Sequence, residues 1–271
     1  SVGNATTFKN SGIVRANQST PLTLTANVIN DGMLEAFGGT LRLDQADVNN
    51  SGGIIRGTGG SVVELSSTWE SHKTKITGGT LDGTILHSSN TVYLSDLTNL
   101  GNYTIASGAG TVINGGITNN GTIKLDAFGG TTGLYVGEST DYALLTGTGK
   151  VIMSNDANNV MMTGNNYARL TNDANHTIEG SGSIGSVGHA TTLTNIGTVR
   201  ANQSTPLILT ADINNAGILE ANGGTLKLQA AKVTNTGIIQ GMNSSFVDLS
   251  SGTSITGGTL DGTILHSSNT V

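Results

Sequence analysis

Apolar and polar residues alternate in short runs along this chain, and Gly, Asn and Ser fill the positions between the runs. Examples are "IVRA" (Ile13–Ala16), "TLRLD" (Thr40–Asp44) and "VVELS" (Val62–Ser66). Alternation with period two predicts β-strands that bury one face, whereas a surface helix would need apolar residues three and four positions apart. The pattern therefore predicts an all-β chain built from short strands.

The strands recur about every 20 residues together with the motif Asn-x-Gly. The asparagines of this motif are Asn10, Asn30, Asn50, Asn195, Asn215 and Asn235, and its glycines include Gly12, Gly32, Gly197 and Gly217. One such unit is too small to satisfy the edges of its own strands, but stacked units can pair each strand with its equivalents above and below. We therefore expect a parallel β-solenoid with coils of about 20 residues, about thirteen coils in all, and a length on the order of 60 Å at ~4.8 Å per coil.

Stacking of equivalent coils predicts continuous files of side chains along the axis. We expect Leu22, Leu41 and Val63 to share one interior file. The residues Arg15, Glu35 and Arg56 should form an exposed column of alternating charge, in which each pair contributes ~0–1 kcal/mol. The Asn column has two interpretations: a hydrogen-bonded amide ladder, or a simple preference of Asn for turns. The glycines after Asn are expected to adopt positive φ at the corners.

A second, longer repeat contains the first. Residues 1–92 match residues 186–271, residues 93–185 complete the first long unit, and the 17 residues of Ile76–Val92 are identical to those of Ile255–Val271. We therefore interpret residues 1–271 as one continuous solenoid. The incomplete second unit suggests an excerpt of a longer array.

The amino-acid composition argues against several classes of binding partner. The chain has 40 glycines, no cysteine, 11% charged residues and a net charge of −6 with a pI near 5.2. Nucleic acids and anionic membranes attract clustered Lys and Arg, so we expect neither as a partner. No apolar run approaches the ~20 residues of a membrane-spanning helix.

The polar residues do not form a recognisable catalytic or metal-binding pattern. No two carboxylates are adjacent in sequence; Asp44 and Asp47 are three positions apart, and that pair is not repeated in the second unit. His87 and His266 lie in the identical segments, where we expect a turn or an exposed strand position. Aspartates do not follow the glycines at one fixed place, as calcium-binding repeats require. Threonines do not form the unbroken outward column of an ice-binding face. We therefore expect no catalytic, cofactor or metal site.

A short insertion interrupts the first unit near residues 68–75. It contains the only Trp, Trp69, together with Lys73. Because loops on repeat scaffolds often carry binding specificity, these two residues are our candidates for contact with a partner.

The stretches "LTNDANHTIEGSGSIG" (Leu170–Gly185) and "LTNIGTVRA" (Leu193–Ala201) resemble the repeats of large bacterial surface proteins, namely filamentous-haemagglutinin-like adhesins and autotransporter passenger domains. The resemblance implies a right-handed parallel β-solenoid, export to the cell surface, and a role in adhesion, biofilm matrix or extracellular filaments.

From these observations we expect a non-enzymatic, extracellular rod. Its expected partners are neighbouring repeats or like chains joined end to end, and glycans or host surface molecules. The alternative is a β-helix that binds or cleaves polysaccharide. An aromatic platform would favour sugar binding, but the few aromatic residues are scattered.

Overall fold

The computed structural model describes residues 6–67, 73–137, 142–162, 167–186, 189–250 and 252–267. Within these ranges the chain contains strands and no helix. It winds into about 12 stacked coils of about 21 residues, a parallel β-solenoid. The predicted fold is confirmed, with a coil close to the predicted length.

Each coil contributes one strand to each of three files, and neighbouring strands in a file are parallel. The first file contains β1 (Thr7–Asn10), β4 (Asn27–Asn30), β7 (Asp47–Asn49), β10 (Thr74–Thr77), β12 (Thr91–Asn99), β14 (Gly110–Asn119), β16 (Thr132–Val136), β19 (Asn159–Met161), β22 (Gly182–Ile184), β25 (Leu207–Leu209), β28 (Thr225–Leu228), β31 (Phe246–Ser250) and β34 (Ile264–Ser267).

The second file contains β2 (Ile13–Ala16), β5 (Met33–Phe37), β8 (Ile54–Thr58), β11 (Thr80–Ser89), β17 (Tyr142–Thr146), β20 (Arg169–Asn172), β23 (Thr192–Asn195), β26 (Asp212–Asn215), β29 (Lys232–Asn235) and β32 (Ser254–Thr256). The third file contains β3 (Leu22–Leu24), β6 (Thr40–Asp44), β9 (Val62–Ser66), β13 (Asn102–Ala106), β15 (Thr122–Asp126), β18 (Lys150–Met153), β21 (Thr177–Gly180), β24 (Thr198–Ala201), β27 (Ile218–Asn222), β30 (Ile238–Met242) and β33 (Thr259–Gly262).

Three long strands run through a corner and so belong to two files each. The second halves of β12 and β14 continue the second file between β11 and β17, and the second half of β11 continues the third file between β9 and β13. These strands keep the three files continuous from β1 to β34.

The core is a set of aliphatic stacks along the axis. Leu22 pairs in register with Leu41, and Leu41 with Val63. Leu41 and Val63 are fully buried, and Leu22, in the first described coil, is partly buried. The same stack continues through Ile85 and Tyr103. Because every coil adds to this stack, the solenoid has a narrow interior filled by side chains.

The two copies of the long repeat occupy different faces of the solenoid. In the first copy, Thr80–Gly83 lies in the second file; in the second copy, the identical Thr259–Gly262 lies in the third file. The long unit therefore ends one face further round the axis than it begins. The same residues fit either face because each face demands the same alternation, an inward aliphatic residue and an outward polar one.

Candidate functional site

The motif asparagines form hydrogen-bonded amide ladders inside two corners of the solenoid. At the end of the first-file strands, the Nδ2 atom of Asn10 donates to Oδ1 of Asn30, and Nδ2 of Asn30 donates to Oδ1 of Asn50, each over 2.7 Å. These three side chains are at most 7% exposed. Of the two interpretations of the Asn column, the geometry is that of the ladder.

The second ladder follows the second-file strands. There Asn195 donates to Asn215 over 2.7 Å, and Asn215 donates to Asn235 over 2.8 Å. The two ladders lie at different corners because the second copy of the long repeat is shifted by one face around the solenoid axis relative to the first copy. Each Nδ2 also donates to carbonyl oxygens near the corner; for Asn215 these are Gly217 and Ile238. The amide therefore satisfies backbone groups of two successive coils.

The second ladder also includes three asparagines beyond the six named in the sequence analysis. Asn99 donates to Asn119 over 2.8 Å, and Asn172 donates to Asn195 over 2.8 Å. The signal for the first pair was present in the sequence, since Asn99 and Asn119 precede Gly101 and Gly121 by two positions.

His176 joins the two parts of the second ladder. Its Nε2 atom lies 3.0 Å from Nδ2 of Asn119 and its Nδ1 atom lies 2.7 Å from Oδ1 of Asn172. An amide nitrogen can only donate and an amide oxygen can only accept, so the ring is neutral and carries its proton on Nδ1. Burial lowers the pKa of His176 to about 4, although Asp173 nearby opposes this shift.

Both ladders end where the sequence departs from the motif. After Asn50 the next coil has Gly78 and Gly79 at the corner, so the Asn50 amide donates to the Gly78 and Thr80 carbonyls instead. The second ladder begins at Asn99, whose register partner on the preceding coil is Leu81 and not an asparagine. The buried Oδ1 of Asn99 therefore has no hydrogen-bond partner within the described residues. An unpaired buried acceptor of this kind costs about 1–3 kcal/mol.

The motif glycines are explained by close packing, and the prediction of positive φ is wrong for them. Gly12, Gly32, Gly197 and Gly217 are not among the residues with positive φ. A Cβ atom on Gly32 would lie less than 3.0 Å from the Gly12 carbonyl oxygen, and one on Gly217 would clash in the same way with Gly197. Successive corners approach too closely for a side chain. At Gly12, in the first described coil, a Cβ atom would meet nothing within 4 Å.

The column of alternating charge forms ion pairs, but its acid is not exposed as predicted. The Glu35 carboxylate forms ion pairs with the guanidinium groups of Arg15 and Arg56, each at 2.6 Å, and the Glu35 side chain is only 2% exposed. Burial raises the pKa of Glu35, while hydrogen bonds and charges from Arg56 and Arg15 lower it; the net pKa is below the ordinary value. The guanidinium groups of the neighbouring coils cover the carboxylate, which sequence alternation alone does not reveal.

His87 is likewise buried, which corrects the predicted turn or exposed position. Its Nδ1 atom lies 2.9 Å from Oγ1 of Thr111, and its Nε2 atom donates to the Ser89 carbonyl over 3.1 Å. The Tyr103 hydroxyl lies 2.8 Å from the same Thr111 oxygen. Because Nε2 carries the proton of the neutral ring, Nδ1 accepts from the Thr111 hydroxyl, and the Tyr103 hydroxyl then donates to Thr111. Burial lowers the pKa of His87 to about 4 against the opposing effect of its backbone hydrogen bonds. His266, its counterpart in the second copy, is exposed.

Of the two candidate partner contacts in the insertion, Trp69 lies outside the described residues. The Lys73 ammonium bonds the hydroxyl of Tyr93 and lies 4.7 Å from the centre of its ring. Lys75 approaches the same ring at 5.9 Å. Lys73 therefore packs on the first-file face of its own chain.

Among the residues that the structure describes, no three His, Asp or Glu side chains form a group able to hold a metal ion. Comparison with protein-family models, curated proteins and solved structures gave no match. In the described ranges, no helix has the length and apolar character needed to cross a membrane.

An Asn215→Ala substitution tests the ladder. It removes the amide that accepts from Asn195 and donates to Asn235. The buried Oδ1 of Asn235 then loses its donor, whereas Nδ2 of Asn195 keeps its bonds to the Gly197 and Ile218 carbonyls. We expect a loss of about 2–4 kcal/mol in the free energy of unfolding, measured by denaturant titration. The matched control is Asn214→Ala, because Asn214 is the exposed neighbour on the same strand. Equal effects of the two substitutions would show that the ladder contributes no stability.

Proposed function

We propose that this chain is a structural, non-enzymatic segment of a bacterial cell-surface or extracellular filament protein, in which it acts as a stiff rod. The observation that supports this best is the continuity of the three strand files through about 12 coils. At ~4.8 Å per coil, the segment would span a distance on the order of 60 Å.

The rod is stiff because its bonds run along the axis. Strand pairing joins each coil to the next, and the amide ladders and the Arg15–Glu35–Arg56 column repeat the same connection with side chains. Bending or stretching the rod would separate groups in all three files at once. A chain built in this way transmits position and force along its length and needs no chemical reaction.

The polysaccharide-cleaving alternative has less support. His87 and His176 are buried and bonded within the solenoid, so neither ring is available to a substrate. The carboxylates of Glu35, Glu179 and Glu220 are bonded to Arg200 or to the arginines of the first copy. These residues stabilise the rod in our proposal.

Surface exposure can be tested on cells that produce the protein. Antibodies raised against the 271-residue segment should label intact cells, or filaments around them, as strongly as permeabilised cells. Labelling that requires permeabilisation would contradict the proposed location.

The isolated segment should associate end to end. Leu260 lies in the last described coil and is 49% exposed, whereas the identical Leu81, covered by a further coil, is fully buried. We expect oligomers that grow with concentration in analytical ultracentrifugation, and Leu260→Lys should shift the segment toward monomer. Leu100→Lys is the control, because Leu100 is 51% exposed in the middle of the rod. A monomer at high concentration, or equal effects of both substitutions, would contradict the prediction.

A further inference from the structure

Arg169 differs from the other arginines of the chain. The sequence has five, and four are bonded to glutamate: Arg15 and Arg56 to Glu35, Arg42 to Glu64, and Arg200 to Glu179 and Glu220. Among the described residues, no carboxylate lies within ion-pair distance of Arg169, which is exposed. Its guanidinium is therefore available to a ligand.

Two tyrosines and a threonine are near neighbours of Arg169 on this face. Arg169 begins β20, and its register partners on the adjacent coils are Tyr142 and Thr192. Tyr167 precedes Arg169 by two residues and is 65% exposed, and Tyr142 is 37% exposed. Tyr167, Arg169, Ala190 and Thr192 line a shallow cleft of about 190 Å³. Successive coils thus bring a cation, aromatic rings and a hydroxyl to one face of the rod.

These groups match the chemistry of an acidic sugar. A guanidinium binds a carboxylate through two parallel hydrogen bonds, and a tyrosine ring offers an apolar face with a polar edge to the C–H face of a sugar. The Thr192 hydroxyl can donate to or accept from a sugar hydroxyl. The cleft is smaller than the ~300 Å³ at which pockets for drug-sized ligands begin, so it suits a single ring.

Two other ligand classes fit less well. A peptide added to the sheet would need an unpaired strand edge, but β17, β20 and β23 are paired on both sides. Nucleic acid would need several clustered cations, and the chain carries a net charge of −6. A single exposed arginine that shares a cleft with one tyrosine favours a ligand with one carboxylate on one sugar ring.

We propose that Tyr142, Tyr167, Arg169 and Thr192 form a binding site for one acidic sugar residue, such as a uronate, within a polysaccharide. The site is independent of the rod proposal, since it requires only that this face be open to solvent. Because one ring makes few contacts, binding of a single residue should be weak. A long polysaccharide would bind several rods at once, and the resulting avidity would raise the overall affinity.

The test is titration of the 271-residue segment with trigalacturonate, followed by NMR chemical shifts. We expect saturable shifts at Tyr167 and Arg169, no binding of the fully methyl-esterified trisaccharide, and at least a tenfold loss of affinity in Arg169→Gln. Tyr167→Ala should weaken binding of trigalacturonate but not of acetate, since only the sugar needs the ring.

Lys232→Gln is the matched control, because Lys232 is an exposed cation in the same outward column as Arg169. It should leave the affinity unchanged. Equal losses in Arg169→Gln and Lys232→Gln would show non-specific attraction and would overturn the site. Acetate that binds as tightly as trigalacturonate, or trigalacturonate that does not bind at all, would overturn the assignment to a sugar.

Discussion

A Gly217→Ala substitution should destabilise the solenoid by about 3 kcal/mol or more. The added Cβ would lie less than 3.0 Å from the carbonyl oxygens of both Gly197 and Ile196, which belong to the backbone of the preceding corner. Backbone cannot turn aside as a long side chain can, so the two coils must separate. That separation would also strain the Asn195–Asn215 bond beside it. Denaturant unfolding and hydrogen exchange of the flanking amides would measure the loss.

The same motif supplies the control for this prediction. Gly12 occupies the equivalent place in the first described coil, where a Cβ atom would meet nothing within 4 Å. Gly12→Ala should therefore change the free energy of unfolding by less than ~1 kcal/mol, and it could stabilise the protein by reducing the freedom of the unfolded chain. If both alanines have the same effect, the corners do not require glycine for close approach.

The solenoid and its interior files could be predicted from the sequence because both depend on periodicity. The alternation in Leu22, Leu41 and Val63 gave the inward face, and the spacing of Asn10, Asn30 and Asn50 gave the stacking. These features repeat at every coil, so each copy supports the same interpretation. The shift of the second copy by one face could not be predicted, because it depends on β11, β12 and β14 passing through corners without a break.

Burial of polar groups was the part that sequence patterns missed. Glu35 and His87 both stand at positions that suggested exposure, yet each is covered by partners from adjacent coils. Those partners come from coils about 20–24 residues away, as in Arg15 with Glu35 and His87 with Thr111. Likewise, the proposed site at Arg169 depends on the absence of a glutamate or aspartate partner for this arginine among the described residues. A composition or a spacing cannot show either property, since both are known only when the register is known.

Acidification from pH 6.5 to pH 4 should destabilise the solenoid through His176 and His87. Burial lowers the pKa of each ring from 6.5 to about 4. In this interval the unfolded chain binds protons that the folded chain does not, so the stabilisation is complete above pH 6.5 and is lost as the pH falls toward 4. Each ring should account for roughly 3 kcal/mol of this loss.

Different features keep the two rings neutral. A proton on Nε2 of His176 would face the Nδ2 group of Asn119, a donor, whereas burial alone disfavours the charged form of His87, because the Thr111 hydroxyl could rotate to accept. The double variant His87→Gln/His176→Gln should therefore be less stable at pH 8 but should lose much less stability between pH 6.5 and pH 4. Carboxylates such as Glu35 remain in this variant and should produce the residual acid dependence. A double variant with the full acid dependence of the parent chain would exclude both histidines as its source.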